Sequence, residues 1–114
     1  MFKRSHTCGE LRKSNLNHEI RLNGWVNTVR LHGQVVFVDL RDRYGMTQLV
    51  FDAEAYKGNF ELIKKLSMED VLSIEGVVRL RDGSAVNPNI QTGQIEVVVS
   101  DYIMLNEAAP LPFV

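Results

Sequence analysis

Apolar residues recur at every second position through most of this chain, and that period predicts strands. From Glu19 to Leu31, Ile20, Leu22 and Val26 alternate with polar neighbours, and Gly24 sits where a bend or bulge is tolerated. The period is clearest from Val35 to Arg41: Val36, Val38 and Leu40 share one face, and Val35, Phe37, Asp39 and Arg41 the other. Asp42-Arg43-Tyr44-Gly45 supplies turn chemistry, and Met46 to Phe51 returns as a third strand, so the two form a hairpin. Between Ala53 and Leu66 the residues favour a helix of moderate length, with Phe60, Ile63 and Leu66 on one stripe. Asp70 to Arg81 is a fourth strand with Gly76 as a candidate bulge, and a loop rich in Gly, Pro and Asn follows to Gly93. Gln94 to Met104 is the fifth, with Ile95, Val97 and Val99 on one side and Glu96 and Val98 on the other.

Five strands with one helix between the third and fourth is the element order of an OB-fold, an all-β, partly open Greek-key barrel. SH3-like barrels have a similar strand count but no substantial helix at this point in the order. In an OB-fold the face of strands 2 and 3 and the connecting loops bind oligonucleotides.

Composition narrows the function classes. The chain has 114 residues, 45% hydrophobic and 24% charged, which is one domain with an ordinary core. With 8 Gly and 3 Pro it is neither collagen-like nor low-complexity. No stretch approaches the roughly 18 apolar residues of a membrane span, and the start at Met1 runs into polar sequence instead of a signal-peptide core. A soluble, cytoplasmic protein is expected. The single cysteine, Cys8, excludes an internal disulfide framework. A net charge of -1 gives no footprint for tight, non-specific nucleic-acid binding, so any such function has to be local and residue-specific.

Phe37 is the most informative side chain, because its period places it opposite the stripe that fills the barrel. There it either stacks an unpaired base or packs under a loop or the helix. Gln48 lies across the hairpin, where its amide either reads a base edge or is a solvated strand polar. Arg30, Arg41, Arg43, Arg79 and Arg81 suit phosphates or planar stacking, yet Asp39, Asp42 and Asp82 are close enough in sequence to pair with them. No phosphate loop, nucleophile elbow or paired His-Glu motif is present, and His6, Cys8, His18 and His32 have no metal-ligand spacing. Neither catalytic nor metal-binding residues are expected.

The exact strings add a resemblance. His6-Thr7-Cys8-Gly9-Glu10-Leu11, Leu22-Asn23-Gly24-Trp25-Val26, the run from Val36 to Gly45 with Thr47-Gln48, Asn87-Pro88-Asn89 and Thr92-Gly93-Gln94-Ile95-Glu96-Val97 are collinear. Together they resemble the amino-terminal anticodon-binding domain of bacterial-type aspartyl-tRNA synthetases, over about Thr7 to Phe113. Lysyl- and asparaginyl-tRNA synthetases share the outline, but the Thr-Cys-Gly-Glu-Leu start and the Thr-Gly-Gln-Ile-Glu-Val strand look like the aspartyl enzymes.

The resemblance implies roles by position. Phe37 stacks on the central uridine of the anticodon and Gln48 hydrogen-bonds it. Glu96 faces the third base, where a cytosine amino group is a natural donor. Arg30 meets the first base, and Asn87 lies in the loop that closes over the anticodon. His32, Arg79 and Arg81 are further candidate tRNA contacts. Thr28-Val29-Arg30 stands where many relatives carry three arginines, which implies weaker phosphate affinity, and His32 leans towards relaxed use of tRNA(Asp) and tRNA(Asn). By the same resemblance, residues 1–108 are the anticodon-binding domain, and residues 109–114 begin a connector to a class II catalytic domain absent from this chain. That domain would use ATP and Mg2+ and form a homodimer, whereas this stretch needs no cofactor and performs no catalysis. The alternative is a stand-alone single-stranded nucleic-acid-binding OB-fold protein, for which a basic groove is expected.

Overall fold

The computed structural model describes residues 3–106. Strands β1 (Glu19–His32), β2 (Val35–Asp42) and β3 (Gly45–Asp52) form a meander, the short helix α1 (Phe60–Ile63) follows, and β4 (Val71–Leu80) and β5 (Ile95–Asn106) complete the fold. They close into a barrel in the order β1-β2-β3-β5-β4. Neighbours are antiparallel except β3 and β5, which run parallel. This is the five-stranded OB architecture expected from the element order. The proposed connector at residues 109–114 lies outside the described residues.

The alternating stripes point inward as the period requires. Val36, Val38 and Leu40 from β2 are fully buried with Ile20, Leu22 and Val26 from β1 and Ile95, Val97 and Val99 from β5. Cys8 and Leu11, from the segment before β1, join the same core, as do Ile63 and Leu66 from around α1. Desolvation drives the Cys8 thiol pKa far up, assisted by the nearby Asp42 carboxylate, so the residue behaves as a small buried apolar group.

Two local expectations are corrected. The helix expected over Ala53 to Leu66 is only the single turn at Phe60–Ile63. The first half of that stretch is spent on a turn, where Ala55 and Tyr56 N–H donate to the Asp52 carbonyl and the Asp52 carboxylate accepts from Glu54 N–H. That turn drives Tyr56 into the core, edge-on to Phe51 at 5.6 Å between ring centroids, so burial of an aromatic overrides the helical preference. The helix begins only after Asn59, whose side chain accepts from Glu61 N–H. Gly24 marks no bulge: it pairs regularly with Leu72, and the irregularity falls between Val26 and Thr28. Gly24 is instead a point of close approach, since a Cβ there would lie 2.5 Å from the Arg41 carbonyl oxygen. The bulge expected near Gly76 is present, as a register shift between Glu75 and Gly76 opposite β5.

Candidate nucleic-acid interface

Outward-facing positions of the strands carry polar side chains that meet in one row. In the β1–β2 pairing Thr28 opposes Asp39, and in the β2–β3 pairing Asp39 opposes Gln48. The parallel pairing of Leu49 with Val97 sets Gln48 beside Glu96, and Glu96 opposes Arg79 on β4. The row therefore crosses all five strands.

Hydrogen bonds connect it from end to end. Thr28 Oγ1 donates to Asp39 Oδ2 at 2.5 Å, and Arg30 donates to Asp39 Oδ2 at 2.8 Å and to Gln48 Oε1 at 3.0 Å. Gln48 Nε2 donates to Glu96 Oε1 at 2.9 Å, and Arg79 Nε donates to Glu96 Oε2 at 2.6 Å. Gln48 and Glu96 are each only 5% exposed, so these contacts are held in partly desolvated surroundings where each unmet bond would be costly. Fixed between a cation on its oxygen and a carboxylate on its nitrogen, the Gln48 amide has one orientation. One N–H and one oxygen lone pair remain for a ligand.

Beside this row lies a cleft of about 350 Å3, walled by Arg30, His32, Phe37, Gln48, Arg81 and Asn87 with Asp39, Met46, Ala85 and Ile90. Six of the eight residues named from the sequence thus face one cavity. The other two, Glu96 and Arg79, join it through Gln48. Phe37 is half-buried on the outer face of β2 while its neighbours Val36 and Val38 are sealed inside, so it is not a core residue. The His32 ring meets it edge-on at 5.7 Å.

Other expectations resolve differently. Gln48 is a buried, bonded amide rather than a solvated strand polar. Arg30 is paired with Asp39, as the nearby carboxylates suggested, and still borders the cleft. Arg81 is 8% exposed and donates to the carbonyls of Ile95 and Ala85, so it also props the β4–β5 loop. Burial lowers its pKa, with Asp39 and Glu96 opposing that shift, and a guanidinium remains cationic regardless. Asn87 anchors the same loop: its N–H donates to the Gly93 carbonyl at 2.9 Å and its side-chain oxygen accepts from Asn89 N–H. Gly93 is obligatory there, because a Cβ would lie 1.6 Å from the Asn87 carbonyl oxygen.

Sequence reasoning did not single out Met46, Ala85 and Ile90 as part of the cleft. Ile90 had a usable signal, an isolated apolar residue in an otherwise polar loop. Among the described residues, no three His, Cys, Asp or Glu side chains gather to hold a metal, and no helix is long and apolar enough to cross a membrane.

Comparison with known proteins agrees with the resemblance read from the strings. A family model described as OB-fold nucleic acid binding domain, of the tRNA anticodon type, matches residues 20–105. The aspartate–tRNA(Asp/Asn) ligase of Ehrlichia chaffeensis is 50% identical over 109 residues, and that of Caulobacter sp. is 49% identical over the same length. In both cases the match covers 96% of this chain but 18% of the relative. Among solved structures, asparaginyl-tRNA synthetase from Pyrococcus horikoshii superimposes with a TM-score of 0.79 at 27% identity, over 98% of this chain and 24% of that one. A protein named OBody AM3L15, solved bound to hen egg-white lysozyme, has a TM-score of 0.81 at 28% identity, over 97% of this chain and 96% of its own. With its five-stranded closed barrel and the family match over most of its length, the chain belongs to the OB-fold nucleic acid binding domains of the tRNA anticodon family.

Proposed function

We propose that this chain recognises the anticodon loop of a tRNA as one domain, residues 1–108, of an aspartate–tRNA ligase. The observation that carries the proposal is the convergence of Phe37, Arg30 and the doubly held Gln48 amide on one cleft. An aromatic face beside a fixed donor and acceptor is what an unstacked base requires: area to stack on and polar groups to match its edge. Phe37 stacks the central uridine, and Gln48 offers that base its remaining N–H and lone pair. Glu96 accepts from a cytosine amino group at the third position, steered by Arg79. Arg30 meets the first base, Asn87 presents the loop that covers it, and His32 and Arg81 complete the walls.

The relatives at about 50% identity are ligases for both tRNA(Asp) and tRNA(Asn), which supports use of both tRNAs, in line with His32. The remaining activity belongs to sequence beyond this stretch: aspartate activation with ATP and Mg2+, esterification to tRNA, and homodimer formation, in the cytoplasm. Residues 109–114 lead towards it. A stand-alone binder of single strands would want a uniformly basic groove, whereas two carboxylates, Asp39 and Glu96, are built into this site.

The test is a titration of the chain with anticodon stem-loops that differ at one position at a time. Preference for the aspartate-type triplet, with uridine at its centre, is expected; equal affinity for all sequences would overturn the proposal.

A further inference from the structure

A second cleft, of about 250 Å3, adjoins the first. Gly9, Arg41, Tyr44, Gly45, Met46, Ile90, Gln91 and Thr92 line it, and Met46 and Ile90 belong to both. The divide between the two is fixed, because the Thr92 hydroxyl donates to the Met46 carbonyl and ties the β4–β5 loop to the start of β3. Tyr44 stands at the tip of the β2–β3 hairpin with 54% of its surface exposed. Arg4 and Arg43 hold their guanidinium groups 5.7 and 5.8 Å from the centre of its ring. Those distances sit near the outer limit of about 6 Å for a cation-π contact, and with just over half of its surface exposed the residue is still open to a ligand.

The charge around Tyr44 is unlike that of the chain as a whole. Arg4, Arg41 and Arg43 form no ion pair among the described residues. The two carboxylates close by, Asp42 and Glu10, keep their charge but are turned to backbone N–H groups, those of Cys8, Tyr44 and Gly45 and that of Thr7, so three guanidinium groups outnumber them. An exposed aromatic ring between unpaired guanidinium groups is the combination that takes a nucleotide, by stacking its base and meeting its phosphates. We propose that this second cleft binds a nucleotide flanking the triplet held in the first, with its base against Tyr44 and its phosphates on Arg4, Arg41 and Arg43. The two clefts then follow one RNA strand across the barrel. The inference rests on the first cleft being an RNA site.

The experiment compares two probes, the anticodon trinucleotide and the seven-nucleotide anticodon loop, binding to the 114-residue chain and to three variants. Tyr44→Ala is expected to weaken the seven-nucleotide loop about tenfold and leave the trinucleotide unchanged. Arg41→Ala combined with Arg43→Ala is expected to flatten the salt dependence of loop binding by about one unit or more, again without effect on the trinucleotide. Phe37→Ala, in the first cleft, should weaken both probes. If Phe37→Ala acts and Tyr44→Ala leaves the loop unchanged, or weakens both probes equally, the second cleft is not a flanking-nucleotide site. If Phe37→Ala affects neither probe, the reading of the first cleft falls, and this inference falls with it. Among the described residues the Tyr44 side chain takes part in no hydrogen bond, the bond to Asp42 being made by its backbone N–H, so its substitution is expected to leave the fold intact, which thermal unfolding checks.

Discussion

Gln48 and Glu96, 48 residues apart, are joined by a 2.9 Å hydrogen bond across the parallel β3–β5 pairing. The bond fixes which edge of the amide faces the carboxylate, and Arg30 on the opposite atom fixes the other. In the proposed role the amide is thus oriented before a base arrives, which lowers the ordering cost of binding.

Gln48→Ala should therefore lower preference for uridine at the central anticodon position by about 1–3 kcal/mol, while leaving triplets that differ elsewhere ranked as before. Equal losses for all four central bases, in stem-loop titrations, would mark Gln48 as a packing residue. Gln48→Glu should destabilise the barrel itself, because a second carboxylate would face the buried Glu96. The folded-state pKa of the new group would lie above its unfolded value, so the loss of stability is present at neutral pH and recedes as pH falls. Urea unfolding at two pH values measures it.

Asp39 holds Arg30 at 2.8 Å and is almost buried. Asp39→Asn preserves its shape and removes the charge, and it should cost about 1–3 kcal/mol of stability. Arg30 would then lose its alignment, so discrimination at the first anticodon position should fall several-fold. Unchanged discrimination with unchanged stability would show that the ion pair does not position Arg30.

The close approach at Gly24 gives a prediction free of RNA. Gly24→Ala places a methyl group 2.5 Å from the Arg41 carbonyl, and the strands must separate to admit it. The cost should be about 1–3 kcal/mol, read as a fall in Tm of several degrees. Gly83→Ala, whose added carbon meets nothing within 4 Å, should leave Tm within a degree or two.

What the sequence made legible follows from what a period of two contains. Alternation says which face a residue takes, so the buried Val36, Val38 and Leu40 and the outward Phe37 could all be read from β2 alone. It says nothing about which strand lies alongside. The meeting of Gln48 with Glu96 depends on a crossover that brings β5 next to β3, which the alternation within a single strand does not encode. The short helix was misjudged for a related reason: local preference favoured helix from Ala53, but Tyr56 had a long-range partner in Phe51. The cleft's Met46 and Ile90 were missed because a wall made jointly by a strand and a loop has no period at all.

The central claim, that Phe37 stacks an anticodon base beside an amide that reads it, is tested most directly by a salt series of stem-loop affinities. Phe37→Ala is expected to weaken the aspartate-type loop by about 1–3 kcal/mol at every salt concentration with the slope unchanged, because no phosphate contact is lost. Arg30→Ala, measured alongside, should lower the slope by about one unit if it meets a phosphate, or act mainly on the first base if it reads that base. A folded Phe37→Ala chain that binds the loop as tightly as the unaltered chain would contradict the account.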